Sequence, residues 1–356
     1  MPVRMINRKL AEEVRKLMPE TLKSGQNEMP VSVWKELDRL NGHRDKTAVA
    51  IFRTSGCSWY NFSSCSMCGY FNDVSRTVSI SDLKKQIDYV SNQIGNIKNI
   101  KIFTSGSFLD PREIPMEIRE YFLKVIGSRM DKILIESRTE YLTETNLSNI
   151  AGNSDKVRIA IGVESTNDMI IRNSINKGTT YSKFLESAKT VKKLGFEIRS
   201  YLLLKPPFIS ETEAIKDTVR SVEMVSKYSD DVSINPMNVQ RNTYVEYLWK
   251  RGLYRPPRLW SLADALIQSE GRGTEVVSYP TGGNRDRGVH NDTGDPELLD
   301  LVVDASLDQD FSKLRKYMAD NITEDYQVKL ALEGSQSYQC DFDRLVDRIT
   351  SASFYI

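Results

Sequence analysis

Residues 47–68 read TAVAIFRTSGCSWYNFSSCSMC. The opening run, Thr47–Arg53, is short and mostly apolar, as a strand buried on both faces must be. The rest carries three of the chain's four cysteines, Cys57, Cys65 and Cys68, spaced C-x7-C-x2-C. The three thiols therefore sit on a loop at the C-terminal end of a strand. In parallel barrels that end carries the active site.

Outward from this stretch, strand-like and helix-like runs alternate as far as residue 237. Strands are expected at Asn99–Thr104, Lys132–Glu136, Arg158–Val163, Glu197–Leu204 and Asp231–Pro236, each rich in Ile, Val or Leu. Helix-period stretches lie at Ser81–Ile94, Pro115–Gly127, Glu140–Ala151, Ser182–Leu194 and Glu211–Lys227. Gly95 and Gly195 are expected helix stops. Six successive βα units predict an α/β fold, a partial (β/α)6 TIM-like barrel, with a doubly wound open sheet as the alternative. Residues 1–46 read as an N-terminal helical cap, 47–237 as the barrel and 238–356 as a C-terminal extension.

The chain has 356 residues, 40% apolar content and a formal net charge of +1, so no global field draws it to nucleic acid or membrane. No apolar run approaches a membrane span. The N-terminus mixes basic residues with Glu12, Glu13 and Glu20 and does not read as a signal or transit peptide, which points to the cytoplasm. With only His43 and His290, His-rich metal sites and a Ser-His-Asp triad are disfavoured. Clustered cysteines in a long chain without a signal indicate a metal or redox site rather than a disulfide scaffold.

Two metals suit such a loop. Three thiolates can hold three irons of a [4Fe–4S] cubane and leave the fourth open. Structural zinc needs a fourth ligand, for which Cys340 and His290 are the candidates. Zinc would make the chain a non-catalytic RNA-binding module.

The strand followed by three cysteines resembles the radical S-adenosylmethionine (SAM) superfamily, in a variant spacing that keeps the closing C-x2-C. The run RTSGCSWYNFSSCSMCGYFND from Arg53 is similar to the archaeosine-forming radical SAM proteins, relatives of the Elongator catalytic subunit. Further similarity lies in Ser105-Gly-Ser-Phe-Leu-Asp-Pro111, Glu136-Ser-Arg138, Gly162-Val-Glu-Ser165, Asn176-Lys-Gly178 and Leu202–Phe208. One departure is His290-Asn-Asp-Thr-Gly, which has the His-Asn pair and no cysteine within the stretch.

The resemblance implies that Cys57, Cys65 and Cys68 ligate the cluster and that SAM chelates the open iron. It implies that Ser105, Gly106 and Ser107 receive the SAM ammonium, and that Glu136, Glu164 and Ser165 meet its ribose or methionine part. Met67 is expected over the cluster and Tyr70 near the adenine, with ordinary packing as the alternative for both. Arg199 is a candidate for the SAM carboxylate, and Lys205 for a substrate-side group or plain loop surface. For Glu136 and Glu164 the alternative is a salt bridge with Arg138, Arg158 or Arg199.

Between 241 and 260, Arg241, Lys250, Arg251, Arg255 and Arg258 interleave with Tyr244, Tyr247, Trp249, Tyr254 and Trp260 against one acid, Glu246. That composition suits phosphate contacts and base stacking, or equally an amphipathic connector with buried aromatics. The resemblance implies a tRNA substrate and radical cleavage of a C–N bond in the lysine adduct of 7-cyano-7-deazaguanine, leaving archaeosine. It also implies a lysine-transferring partner subunit and a low-potential electron donor. An Elongator-like enzyme acting on another tRNA base is the alternative.

Overall fold

The computed structural model describes residues 7–19 and 26–335. One eight-stranded sheet runs in sequence order: β1 (Ser32–Asp38), β2 (Asp45–Ile51), β3 (Asn99–Phe103), β4 (Lys132–Ser137), β5 (Val157–Glu164), β6 (Glu197–Leu204), β7 (Asp231–Pro236) and β8 (Glu275–Val277). β2 through β8 are parallel and β1 is antiparallel to β2. The helices are α1 (Arg8–Lys16), α2 (Ser58–Phe62), α3 (Ile80–Gln93), α4 (Met116–Val125), α5 (Glu144–Ser148) and α6 (Asp168–Ile170). They continue with α7 (Tyr181–Lys193), α8 (Glu211–Val225), α9 (Tyr244–Trp249), α10 (Leu259–Ser269), α11 (Pro296–Asp308), α12 (Ser312–Asn321) and α13 (Glu324–Ser335).

The six expected strands appear as β2–β7, so the partial-barrel reading holds. Helix starts follow local capping chemistry. Ser79 and Asp82 close a capping box on α3, and Ser210 with Glu213 does so on α8. Gly95 and Gly195 adopt φ of +62° and +82° after α3 and α7, a region that costs glycine little.

Strand periodicity sorts the side chains. One set, including Ile102, Ile133, Ile135, Ile159, Ile161, Ile198 and Ile234, is buried in the main apolar core with side chains of α3, α4, α7, α8 and α10. The alternate set lines the concave face in layers. At the N-terminal end of the strands lie Lys101, Arg158, Arg199 and Asp231. Above them Leu134 and Ala160 form a small apolar cluster with Leu40, against which Phe103 and Tyr201 pack. Above that come Glu136 and Gly162, beside the cysteine loop.

The N-terminal cap is corrected. Only Arg8–Lys16 among the described residues of 1–46 is α-helical, and Ser32–Asp38 is a strand. Its carboxylate Asp38, fully buried, accepts from Arg199 Nη2 at 3.2 Å and pairs with Lys101. The next residue, Arg39, donates to Glu275 at 2.8 Å and so joins β1 to β8 at the closed end. The extension after 237 is not separate from the sheet either, since β8 pairs with β7 in register Asp231↔Glu275. Residues 336–356 of the expected C-terminal extension lie outside the described residues. Among the described residues no helix is long and apolar enough to cross a membrane.

Candidate functional site: a three-thiol loop at the mouth of the half-barrel

After β2 the chain turns through Gly56, at φ +92°, into Cys57, which begins the short helix α2. Cys65 and Cys68 follow on the far side of that helix. Two segments fix this loop. Trp59 Nε1 donates to the Asn176 carbonyl at 2.8 Å, and Asn176 Nδ2 donates to Ser63 Oγ at 3.0 Å and the Ser64 carbonyl at 2.8 Å. Ser66 N–H donates to the Ile175 carbonyl at 2.9 Å. Asn176 reaches this position because α6 runs on as a π-turn, Ile171–Ile175, and Asn176 itself is left-handed at φ +57°. π-turns are rare and cluster at functional sites. The second clamp comes from the start of α9, where Val245 N–H donates to the Ser66 carbonyl at 3.1 Å and Asn72 Nδ2 to the Arg241 carbonyl at 2.9 Å.

The three cysteines are unpaired and partly buried. Burial pushes all three thiols up, Cys68 to about 12. Cys68 and Cys57 raise Cys65 further and Cys57 raises Cys68, while Lys177 opposes the shift at Cys65 and Cys68 and Arg138 opposes it at Cys57 and Cys65. The thiols are thus near enough to feel one another's charge, and a bound cation in place of their protons removes the penalty. Among the described residues, no three His, Cys, Asp or Glu side chains converge as the ligands of one ion do. Cys340, the candidate fourth zinc ligand, lies outside the described residues. The other candidate, His290, has its ring Nδ1 at 2.8 Å from the Gly288 carbonyl.

The turn after β3 abuts the cysteines. A Cβ at Gly106 would lie 2.7 Å from Cys57 Cα and would collide with Glu113, so only glycine fits there. Ser105 Oγ donates to the Tyr70 carbonyl at 3.3 Å. Ser107 N–H donates to Glu113 at 2.8 Å, and its hydroxyl accepts from Arg138 N–H at 3.0 Å. Glu113, which sequence reasoning missed, also accepts from Thr54 at 2.8 Å and so ties the β2 and β3 loops together. Burial pushes its carboxyl up to about 7.

Glu136 and Glu164 reach the concave face. Burial pushes Glu136 up to about 8, against its hydrogen bond with Tyr201 and the charge of Lys177. Glu164 ends β5 at φ +65° after a register shift and pairs with Lys177. A Cβ on Gly162 would collide with that Lys177 ammonium. Neither acid pairs with Arg138, Arg158 or Arg199. Lys177 is the second residue missed; only its place in the Asn176-Lys-Gly178 run signalled it.

The expectations for Arg199, Ser165 and Lys205 are corrected. Arg199 lies at the N-terminal end of β6, fully buried, and donates to Asp231 at 2.8 and 2.7 Å as well as to Asp38. It is committed to the closed end and does not face the cysteines. Ser165 is fully buried, and its hydroxyl accepts from Asn167 N–H at 2.9 Å and bonds Asp217, away from the concave face. Met67 packs against the apolar cluster of Leu10, Ile175 and Met237. Tyr70 is half exposed as a residue, while its hydroxyl is buried beside Gln240 and close enough to Glu136, Cys68 and Glu164 to feel their charges. Lys205, at φ +63°, is buried between Glu211 and Glu333 rather than on the loop surface.

The basic and aromatic stretch is a buttress. Tyr244, Tyr254 and Trp260 are buried, Arg251 covers the Tyr247 ring at 3.7 Å and Arg287 covers Trp249 at 4.7 Å. Arg255 and Arg258 are held by the buried carboxylate of Glu211.

Residues 51–222 match the family described as the Radical SAM superfamily. The chain is 40% identical over 271 residues to archaeosine synthase subunit beta of Methanosarcina acetivorans, covering 74% of this chain and 78% of that protein. It is 32% identical over 274 residues to archaeosine synthase subunit beta of Thermococcus kodakarensis, covering 73% and 84%. Elongator complex protein 3 of Dictyostelium discoideum is 24% identical over 208 residues, covering 52% of this chain and 36% of that protein. Among solved structures, the Elp3 of Methanocaldococcus infernus superposes with a TM-score of 0.47 at 18% identity, covering 76% of this chain and 63% of that one.

Proposed function

The chain belongs to the radical SAM superfamily and, within it, to the family of the archaeosine synthase beta subunits, and from that premise we propose that it acts in archaeosine biosynthesis on tRNA. The proposed step is cleavage of a C–N bond in the lysine adduct of 7-cyano-7-deazaguanine, a lyase-type reaction that leaves archaeosine. The observation that carries the reading is the set of three unpaired cysteines on one loop at the mouth of the half-barrel, packed against the glycine turn after β3.

Cys57, Cys65 and Cys68 would hold a [4Fe–4S] cluster. Soft thiolate donors suit iron, and three of them leave one iron for SAM. With SAM bound, such a cluster supplies reductive carbon–sulfur cleavage and hence a hydrogen-abstracting radical. The protein's own groups do the rest. The clamp from Asn176 holds the backbone of the loop that carries the thiols. Ser105–Ser107, held by Glu113, offers backbone and hydroxyl acceptors to the SAM ammonium. Glu136 and Glu164 supply carboxylates for the remaining cationic and hydroxyl groups, whether of SAM or of the adduct's lysine. The apolar layer of Leu134, Ala160 and Phe103 lies beneath Glu136 on the concave face and would keep water from its base.

The test is direct. Reconstituted protein, reductant, SAM and tRNA bearing the lysine adduct should yield archaeosine on nucleoside mass spectrometry. An unchanged adduct, alongside full SAM cleavage, would move the enzyme to another substrate. The lysine-transferring subunit and the electron donor are the partners this reading requires.

A further inference from the structure

Beside Cys57, on the outer side of its loop, lies a cavity of about 360 Å³ lined by Ser55, Gly56, Ser58, Asn61, Arg76 and Arg112. No carboxylate lines it. Arg112 spends Nε and Nη2 on the Asp110 carboxylate, at 3.1 and 3.0 Å, which leaves Nη1 of its fork. Arg76 is exposed and makes no ion pair among the described residues. The Ser58 hydroxyl is 2.6 Å from Tyr141 Oη, which Arg112 also contacts, so the wall is held in place from behind. Two guanidinium groups, one of them offset from behind by Asp110, an amide and a hydroxyl make a donor-rich hollow whose uncompensated charge is that of Arg76. Guanidinium forks match tetrahedral oxyanions in geometry and charge. The next residue of α2 after Asn61 is Phe62, 55% exposed, an aromatic face of the kind on which unpaired bases stack. Exposed Arg15 donates to the Phe62 carbonyl and adds a third cation to this rim.

We propose that this cavity binds a backbone phosphate of the tRNA substrate and so sets where the modified base enters relative to Cys57. The proposal rests on the tRNA reading above. It transfers the main phosphate contact from the 241–260 stretch, whose aromatic and basic groups are largely buried or paired, to the rim of the cysteine loop.

Arg76→Glu tests it, with Lys189→Glu on the exposed face of α7 as a control of equal charge change. Affinity of the reconstituted protein for tRNA is measured over a salt series, and iron content checks that the cluster site is intact. One lost phosphate contact should reduce the slope of log K against log salt by about one and weaken binding roughly three- to tenfold. Lys189→Glu should leave the wild-type slope. If the two variants behave alike, the cavity is not a phosphate site. If Arg76→Glu binds tRNA normally but is reduced more slowly by an acidic electron-transfer protein, the cavity belongs to the donor and the proposal falls. If the wild type binds no tRNA, the functional reading fails along with it.

Discussion

Glu136 is a carboxylic acid held between charge states by its surroundings. Burial favours the protonated form, and Tyr201 and Lys177 only partly restore the anion, so it titrates near 8 against an ordinary value of 4.5. Between those two values the folded chain keeps a proton that the unfolded chain has released. Stability of the cluster-free protein should therefore fall as pH rises from about 4.5 to 8, by at most about 1.4 kcal/mol per pH unit for this one group. Glu136→Gln should flatten that decline, as read from denaturation midpoints across the range. An unaltered slope would mean that Glu136 is ionised in the empty site. Glu113, raised for the same reason, adds to the decline and remains in the variant. Neither shift is legible in the sequence. The strand pattern places Glu136 on the inner face, but its partners come from β6 and from the turn at Asn176–Gly178.

At the scale of elements, the loop from Cys57 to Cys68 is shaped by what holds it. Gly178 has φ +69°, and a Cβ there would fall inside the Trp59 ring. Gly95 has a similar φ of +62° with nothing within 4 Å of the added atom. Both Gly→Ala variants carry the left-handed backbone cost of about 1–2 kcal/mol. Gly178→Ala should cost about 1–3 kcal/mol more through overpacking and should retain less iron after reconstitution. Equal stability and iron content in the two variants would show that the clamp does not position the thiols. The cysteine spacing and the Asn176-Lys-Gly178 run were both legible as motifs. Their mutual contact was not, because it depends on a π-turn, Ile171–Ile175, that no simple periodicity announces. The 31–38 stretch misled for a related reason. Its polar residues, Lys35 and Glu36, interrupt a short apolar run that fits one helical turn as well as a strand, and only pairing with Asp45–Ile51 decides it.

The whole molecule separates its two ends. At the closed end Lys101, Lys132, Arg158 and Arg199 pair with Glu36, Asp38, Glu197 and Asp231, and the Arg199 guanidinium and the Asp38 and Asp231 carboxylates are nearly inaccessible. Breaking one partner of such a network leaves a buried charge and costs several kcal/mol, so this end reads as architecture. At the open end the charges are fewer and the thiols incompletely compensated, which reads as a place for a ligand. Six of the eight strands, and with them the location of the open end, followed from apolar runs and turn residues. The assignment of Arg199 failed because period two gives the face of a strand side chain, and Arg199 is on the concave face, but its height along the strand is set by the register with Asp231. The central claim is that Cys57, Cys65 and Cys68 together hold a SAM-cleaving cluster, and anaerobic iron–sulfur reconstitution, reduction with SAM and detection of 5′-deoxyadenosine test it most directly. The account predicts 5′-deoxyadenosine from the wild type and none from Cys65→Ala, whose fold should survive; a colourless zinc protein, or a Cys65→Ala variant that still cleaves SAM, would contradict it.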